Sequence, residues 1–265
     1  MSLQLDSMPQ HSVPSSAYIL GVRVDRVSEA QALDIIDQHI ASRKDSGNHL
    51  PCHQIVTVNT EFVMAAQKNT EFCQAINSAA LTVADGIGVV WATHYVGCPA
   101  PERITGTDTL VALAKRCALK GYRLYLLGAA PGVAEQAGEK LQALAPGLQI
   151  AGVYAGSAAP SEEDAIVERI HEASVDILCV AYGAPVQDLW IYRNLSRLPA
   201  AVAMGVGGAY DFLSGRQRRA PRIMQRMGLE WLYRLYREPW RWRRMLALPR
   251  FFVTVLLRGR KKHGA

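Results

Sequence analysis

Along the first two hundred residues the apolar positions switch repeatedly between a spacing of two and a spacing near 3.6, and that switching predicts strands alternating with helices. Ala17 to Val24 (AYILGVRV) alternates as a strand, and Ser28 to Ala41 opens on a capping Ser and repeats its apolar residues at helical spacing. Gln54 to Val58 reads as a strand, Glu61 to Ala80 as one or two helices, Leu81 to Ala84 as a short buried strand and Gly86 to Tyr95 as a helix. Thr107 to Leu119 is helical, Arg123 to Leu127 a strand, and Pro131 to Leu144 a helix with Pro in its first turn. Strand-like Ile150 to Tyr154, Asp176 to Ala181 and Ala200 to Met204 then alternate with helical Ser161 to Ala173 and Pro185 to Leu195. Such a βαβα rhythm with short apolar strands predicts a mostly parallel sheet with helices on both faces, a Rossmann-like α/β fold. It occupies residues 18–215, behind a polar lead-in of residues 1–17. From Pro221 the pattern turns helical, aromatic and arginine-rich, with Pro239 placed to end one helix or start another.

Charge sharpens that division. The net charge of +6 resolves into +13 for residues 216–265, whose only acids are Glu230 and Glu238, and −7 for residues 1–215. Three of the five Trp (Trp231, Trp240 and Trp242) share the basic segment, which suits a surface meeting both phosphate and an apolar medium. Residues 216–265 therefore read as a basic amphipathic appendage, too short and too basic to own a core, with nucleic acid and anionic lipid both open as its partner. The longest apolar candidate for a span, Met245 to Leu257, is 13 residues and is interrupted by Pro249 and Arg250, too short to cross a bilayer. The N-terminus lacks the basic and apolar blocks of a signal peptide, so the expectation is a cytoplasmic protein. The five Cys are odd in number and form no C-x-x-C, which fits reduced thiols. His49, Cys52 and His53 lack the paired spacing of a metal site.

In a doubly wound sheet, ligands sit beyond the carboxyl ends of the strands, so the residues that follow each strand are where chemistry is expected. Three of these turns carry glycines: Asp85-Gly86-Ile87-Gly88, Gly128 to Gly132, and Gly205-Val206-Gly207-Gly208. None matches G-x-G-x-x-G, and no P-loop pattern occurs, so a dinucleotide oxidoreductase and P-loop chemistry are disfavoured. Asp85 follows an apolar strand among anion-binding features, where a carboxylate can take a proton from a bound hydroxyl; from spacing alone, capping the Gly86 helix is the commoner role. Thr57 and Asn59 alternate onto one face, but alone they read equally well as a turn, Arg103 as a surface ion pair and Gln187 as a first-turn residue. D-x-D is absent, which removes the usual carboxylate pair for a divalent ion in a nucleotide-sugar enzyme. If the chain transfers a sugar, arginines and helix dipoles are expected to stabilise the leaving diphosphate.

Seven segments in order then carry a resemblance: Thr57-Val58-Asn59; Ala84 to Val90; Arg103 to Gly106; Gly183-Ala184-Pro185 with Gln187; Gly205 to Gly208 with Asp211-Phe212; Arg219-Ala220-Pro221; and Leu229 to Leu235. Together, over about residues 18–258, the chain resembles the WecG/TagA/CpsF glycosyltransferases. The resemblance implies an inverting, metal-independent transfer of a hexose from a UDP-sugar to a sugar on undecaprenyl diphosphate, without a cofactor, at the cytoplasmic face of the membrane. It implies that Asp85 is the general base and that Thr57, Asn59, Arg103 and Gln187, with Gly86 and Gly207, line the substrate pocket. The basic appendage is implied to close over that pocket, with Arg234, Arg241 and Arg244 at the lipid-linked diphosphate. Around them Trp240, Trp242, Phe251, Phe252, Leu256 and Leu257 are expected in the membrane interface and Lys261 and Lys262 at anionic head groups. On one continuous helix the three arginines, spaced by 7 and 3, would share a face. Val186 and Asp188 stand where the family commonly has Lys and Glu, which bears on the donor: N-acetylmannosamine, N-acetylmannosaminuronate or glucose, with a lean toward a neutral hexose. The competing class, a nucleic-acid-binding module with a basic tail, leaves the strand-end residues unexplained. The resemblance is compatible with a homo-oligomer and implies no nucleic-acid partner.

Overall fold

The structure, a computed structural model, describes residues 15–258, apart from the side chains of Arg226, Arg241 and Arg243. The AYILGVRV segment is a hairpin, not one strand: β1 (Ser16–Ile19) pairs antiparallel with β2 (Val22–Asp25). The chain reverses at Leu20 and Gly21, where φ is 51° and 86°. Glycine makes the second of these positive angles free of side-chain strain. The hairpin lies against the outer strand of the main sheet, where Asp25 accepts the Thr82 N–H at 2.8 Å and Arg23 donates to the Asn77 carbonyl at 2.9 Å. That packing screens an otherwise open edge.

The main sheet contains β3 (His53–Val58), β4 (Leu81–Ala84), β5 (Arg123–Gly128), β6 (Gln149–Tyr154), β7 (Ile177–Ala181) and β8 (Val202–Gly205). Their spatial order is β4-β3-β8-β7-β5-β6, and every ladder is parallel. The α/β architecture read from the sequence is thus the one observed. Side chains alternate across it as a two-residue period requires. On one face Ile55, Leu81, Leu126, Cys179 and Met204 meet the helices Glu29–Asp45, Gly106–Lys120 and Val133–Leu144. On the other, Val56, Val58 and Ala84 meet the helices around Phe62, Phe72 and Val89, while Leu127, Val180 and Ala203 pack on Ile166, Trp190 and Ile191.

Local signals hold at several helix starts. Ser28 forms a capping box with Gln31, and Asn59 and Asn69 each accept an N–H in the first turn of the helices Thr60–Ala66 and Thr70–Ser78. The second Asn is why the Glu61 to Ala80 stretch divides into two helices.

The C-terminal segment departs from the expectation in two ways. The helix Glu230–Arg237 stops at Glu238, and Pro239 opens a three-residue turn, Pro239–Arg241, before the short helix Trp242–Met245. Proline cannot donate the N–H that a continuous helix needs and crowds the preceding turn. Arg234, Arg241 and Arg244 therefore do not share one helical face; the Arg241 side chain lies outside the described residues. Next comes the helix Ala247–Arg258, with Pro249 tolerated in its first turn. Its Phe251 and Val255, four residues apart, are both 0% exposed and join the core formed by Val63, Val89 and Ala92. This corrects the assignment of Phe251 to a membrane interface. Phe252 is half-buried and tilts against Trp91 at 4.7 Å, whereas Leu256 and Leu257 stay exposed at 53% and 70%. Lys261 and Lys262 lie outside the described residues. No helix among the described residues is long and apolar enough to cross a membrane.

Candidate active site

The carboxyl ends of β3, β4, β7 and β8 are neighbours in the sheet, and together they floor a cavity of about 850 Å³ whose far wall is the C-terminal segment. Thr57 at the end of β3, Asp85 after β4, Tyr182 after β7 and Val206 after β8 all line it. The turn Gly128 to Gly132 does not line it. Gly128 is needed where β5 approaches β7, since a Cβ there would sit 2.8 Å from the Ala181 carbonyl carbon.

Asp85 is set by the sheet itself: its N–H donates to the Val58 carbonyl at 2.8 Å. Capping is not its role, because the N-cap of the helix Ile87–Tyr95 is Gly86, at φ 89°, and no side chain caps that helix. The carboxylate takes no hydrogen bond or ion pair from the described residues and opens on the cavity. Burial and the nearby Glu230 carboxylate push its pKa up from 3.8 to about 7, against the opposing pull of Arg103 and Arg234. A carboxylate with a proton affinity near neutrality and a free face is suited to general-base work.

Arg103 reaches the same floor because Ile104 donates its N–H to the Ala84 carbonyl at 2.8 Å, pinning residues 103–105 alongside the end of β4. Thr105 then caps the helix Gly106–Lys120 through its hydroxyl. Thr57 is 7% exposed and faces Gly106, where a Cβ would come 3.6 Å from its hydroxyl oxygen. Asn59 lines the cavity, with its side-chain oxygen already engaged as the cap on Phe62 N–H at 3.0 Å.

Gln187 is placed differently from the solvated first-turn residue that its spacing suggests. It is 2% exposed, and its Oε1 accepts from Gly183 N–H and Gly207 N–H, both at 3.1 Å, so it ties together the turns after β7 and β8. Gly205 makes room for it: a Cβ there would lie 2.5 Å from Gln187 Nε2 and 2.8 Å from Asp188 Oδ1. Asp188 itself is 1% exposed, and burial raises its pKa to about 7. Its Oδ2 has no hydrogen-bond partner among the described residues.

The opposite wall is cationic. Arg234 lies 5.0 Å over the Phe212 ring, and Gly208 leaves space for its guanidinium, since a Cβ there would approach Nη2 to 3.1 Å. Arg244 pairs with Glu61 at 2.6 Å. Arg219 donates to both carboxylate oxygens of Asp108 and, through Nε, to Glu230 at 3.3 Å; Arg103 Nη1 reaches the other Glu230 oxygen at 3.3 Å. Arg234 and Arg244 thus face one cavity despite the broken helix. Arg219, Glu230, Glu61 and Asp108 were not among the residues that the sequence reading assigned to the site. One signal was present: Glu230 is one of only two acids in the fifty most basic residues.

Beside this cavity lies an apolar recess of about 500 Å³, whose walls include Trp231, Leu235, Trp242 and Phe252. Among the described residues no group of three His, Cys, Asp or Glu is placed to hold a metal ion. His53 stacks on His39 at 3.9 Å, and burial raises the Cys52 thiol to about 12.

A recessed carboxylate thus faces arginines at the carboxyl edge of a parallel sheet, the place where such sheets bind their ligands. The chain belongs to the Glycosyl transferase WecG/TagA/CpsF family, matched over residues 17–265, and is a glycosyltransferase. It is 37% identical over 202 residues, 76% of this chain and 78% of the relative, to an N-acetylglucosaminyldiphosphoundecaprenol N-acetyl-beta-D-mannosaminyltransferase of Bacillus spizizenii. The protein of the same description in Bacillus subtilis is 33% identical over 230 residues, 87% of each chain.

Proposed function

We propose that this glycosyltransferase moves a hexose, N-acetylmannosamine in the first instance, from a UDP-sugar to a sugar carried on undecaprenyl diphosphate, with inversion and without a metal ion. Asp85 carries the reading: a carboxylate free of capping duty, open to the cavity and raised to about 7. It accepts the proton of the acceptor hydroxyl as that oxygen bonds to the anomeric carbon; the bond from that carbon to the UDP oxygen breaks, and the proton passes on to water. Arg103 and the N–H groups at the start of the helix Ile87–Tyr95 meet the negative charge growing on the departing diphosphate. Thr57 and Asn59 line the pocket for the sugar nucleotide. Gln187, with Gly86 and Gly207, shapes its backbone wall.

The names of the two Bacillus relatives support the lipid-diphosphate acceptor and the N-acetylmannosamine donor. So does the placement of Arg234 and Arg244 beside an apolar recess, a sequence of environments that suits a diphosphate followed by a hydrocarbon chain. Trp240 (72% exposed), Trp242 (53%) and Leu257 (70%) offer an amphipathic surface for peripheral binding at the cytoplasmic face of the membrane. In this reading residues 18–215 are the catalytic unit and residues 216–265 the membrane-associating unit that completes its site. Engagement of Arg219, Arg244 and Glu230 around a cavity supports a transferase over a nucleic-acid module, which would array its cations for a phosphate backbone.

The test is incubation with a panel of UDP-sugars and a short-chain polyprenyl-diphosphate-sugar acceptor, scored for UDP release and for a glycosylated lipid product. UDP-N-acetylmannosamine should give both. Release from no UDP-sugar in the presence of acceptor would overturn the reading.

A further inference from the structure

Glu230 is an acid in a segment of fifteen cations, and it begins the helix Glu230–Arg237 at the wall opposite the sheet. Its two oxygens are divided between two arginines of different origin. Oε2 takes Arg103 Nη1 from the core at 3.3 Å, and Oε1 takes Arg219 Nε from the connecting segment at 3.3 Å. The two guanidiniums are not in the same condition. Arg219 spends its remaining nitrogens on both oxygens of Asp108, so it is a rivet between the core and the C-terminal segment. Arg103 is held by one nitrogen alone among the described residues, which turns the guanidinium toward Glu230 and leaves its other donors for a ligand.

Resting on the transfer reaction set out above, we propose that Glu230 is a positioning residue: it orients Arg103 for the leaving diphosphate and couples docking of the C-terminal segment to the competence of Asp85. The coupling is spatial. Glu230 enters the cavity only when its helix is docked, and docking is registered by Gly228, where a Cβ would fall 2.7 Å from Ile87 Cγ2, two residues beyond Asp85. The charged groups that act on Asp85 are Glu230, Arg103, Asp108 and Arg234. Two of these, Glu230 and Arg234, are brought by the docked segment. Of all four, Glu230 has the largest influence, and it strengthens the hold of Asp85 on a proton. The segment therefore delivers a charge that makes the base more basic while the same carboxylate aligns the arginine that meets the leaving group.

The experiment uses the full chain with Glu230→Gln and Glu230→Asp. Titration of ¹³C-labelled aspartate carboxyls is followed by NMR, with Asp85→Asn assigning the Asp85 signal, and kcat/KM is measured against pH. Glu230→Gln should move the Asp85 midpoint and the acid limb of kcat/KM to lower pH and cut kcat/KM by about 10–100-fold, the range for a misplaced positioning group. Glu230→Asp keeps the charge but shortens the reach, so it should retain the acid limb while losing rate. Limited proteolysis across residues 216–229 reports whether the segment stays docked. An unchanged Asp85 midpoint in Glu230→Gln, or full activity with the segment docked, would overturn the proposal. So would equal losses in both variants with the segment released and the midpoint unmoved, since Glu230 would then be a latch. If wild-type protein releases UDP from no donor, the functional reading fails, while the Asp85 midpoint still decides the coupling.

Discussion

Replacing Asp85 by Asn removes one proton acceptor and leaves the shape of the side chain almost unchanged, so it separates what the carboxylate does from what it costs. Burial, aided by Glu230, lifts this group from 3.8 to about 7. At about 1.4 kcal/mol per unit, ionising it in the folded chain is unfavourable by about 4 kcal/mol, an upper bound because the carboxylate keeps one side on the cavity. The sign follows from linkage. Between pH 3.8 and about 7 the native state holds the proton that the unfolded state releases, so the wild type loses stability as pH rises through that window. Below pH 4 the penalty is absent; above pH 8 it is complete. Asp85→Asn should therefore match the wild type in urea unfolding at low pH and exceed it by up to about 4 kcal/mol at pH 8 to 9. Turnover should fall by roughly 10²–10⁴, the usual contribution of a positioned base. In the wild type, activity should rise with pH through a midpoint near 7, because only the deprotonated form accepts a proton. UDP release at neutral pH measures the loss of turnover, and its pH profile in the wild type the midpoint. An Asn variant that turns over at near the wild-type rate would refute the base, and one that is no more stable at pH 9 than the wild type would refute the buried-charge argument.

Gln187→Ala leaves the N–H groups of Gly183 and Gly207 without their acceptor, and should lower stability by about 2–4 kcal/mol and raise KM for the UDP-sugar; denaturant unfolding and donor titration measure the two effects. Phe251→Ala removes a fully buried ring and should cost about 3–5 kcal/mol, with faster amide exchange in the helix Ala247–Arg258; a loss below 1 kcal/mol would return Phe251 to a membrane-facing role. Because Phe251 and Val255 belong to the core, deleting residues 216–265 damages the fold as well as the site, and point variants are the sharper probe. Arg244→Ala should cut transfer even to a soluble short-chain acceptor, whereas Trp240→Ser with Trp242→Ser should weaken binding to anionic liposomes, read by sedimentation. Activity should survive excess EDTA; abolition by the chelator with recovery on Mg²⁺ or Mn²⁺ would contradict stabilisation of the leaving group by arginine.

Local interactions explain which features could be read from the chain. The two-residue and 3.6-residue periods, the caps at Ser28 and Asn59 and the glycine turns depend on neighbours a few residues away, so the sequence determined the alternation of strands and helices and hence the α/β class. Because ligands of such sheets gather beyond strand ends, it also directed attention to Thr57, Asp85, Arg103 and Gln187, all of which line one cavity. Strand order required contacts across more than a hundred residues: β3 pairs with β8, His53 opposite Val202, and that pairing places the turn after β8 beside the turn after β3. Whether Asp85 capped a helix or faced a cavity could not follow from spacing that serves both; the backbone at Gly86 decided it. Gln187 became a tie between two glycine turns only once β7 and β8 lay side by side. The C-terminal segment shows the limit most clearly. Its charge marked it for phosphate, but a basic amphipathic helix looks the same in sequence whether its apolar face meets lipid or protein. Burial of Phe251 and Val255 and the pairing of Glu230 with Arg103 are long-range choices, set by the surface that the core of the first two hundred residues presents.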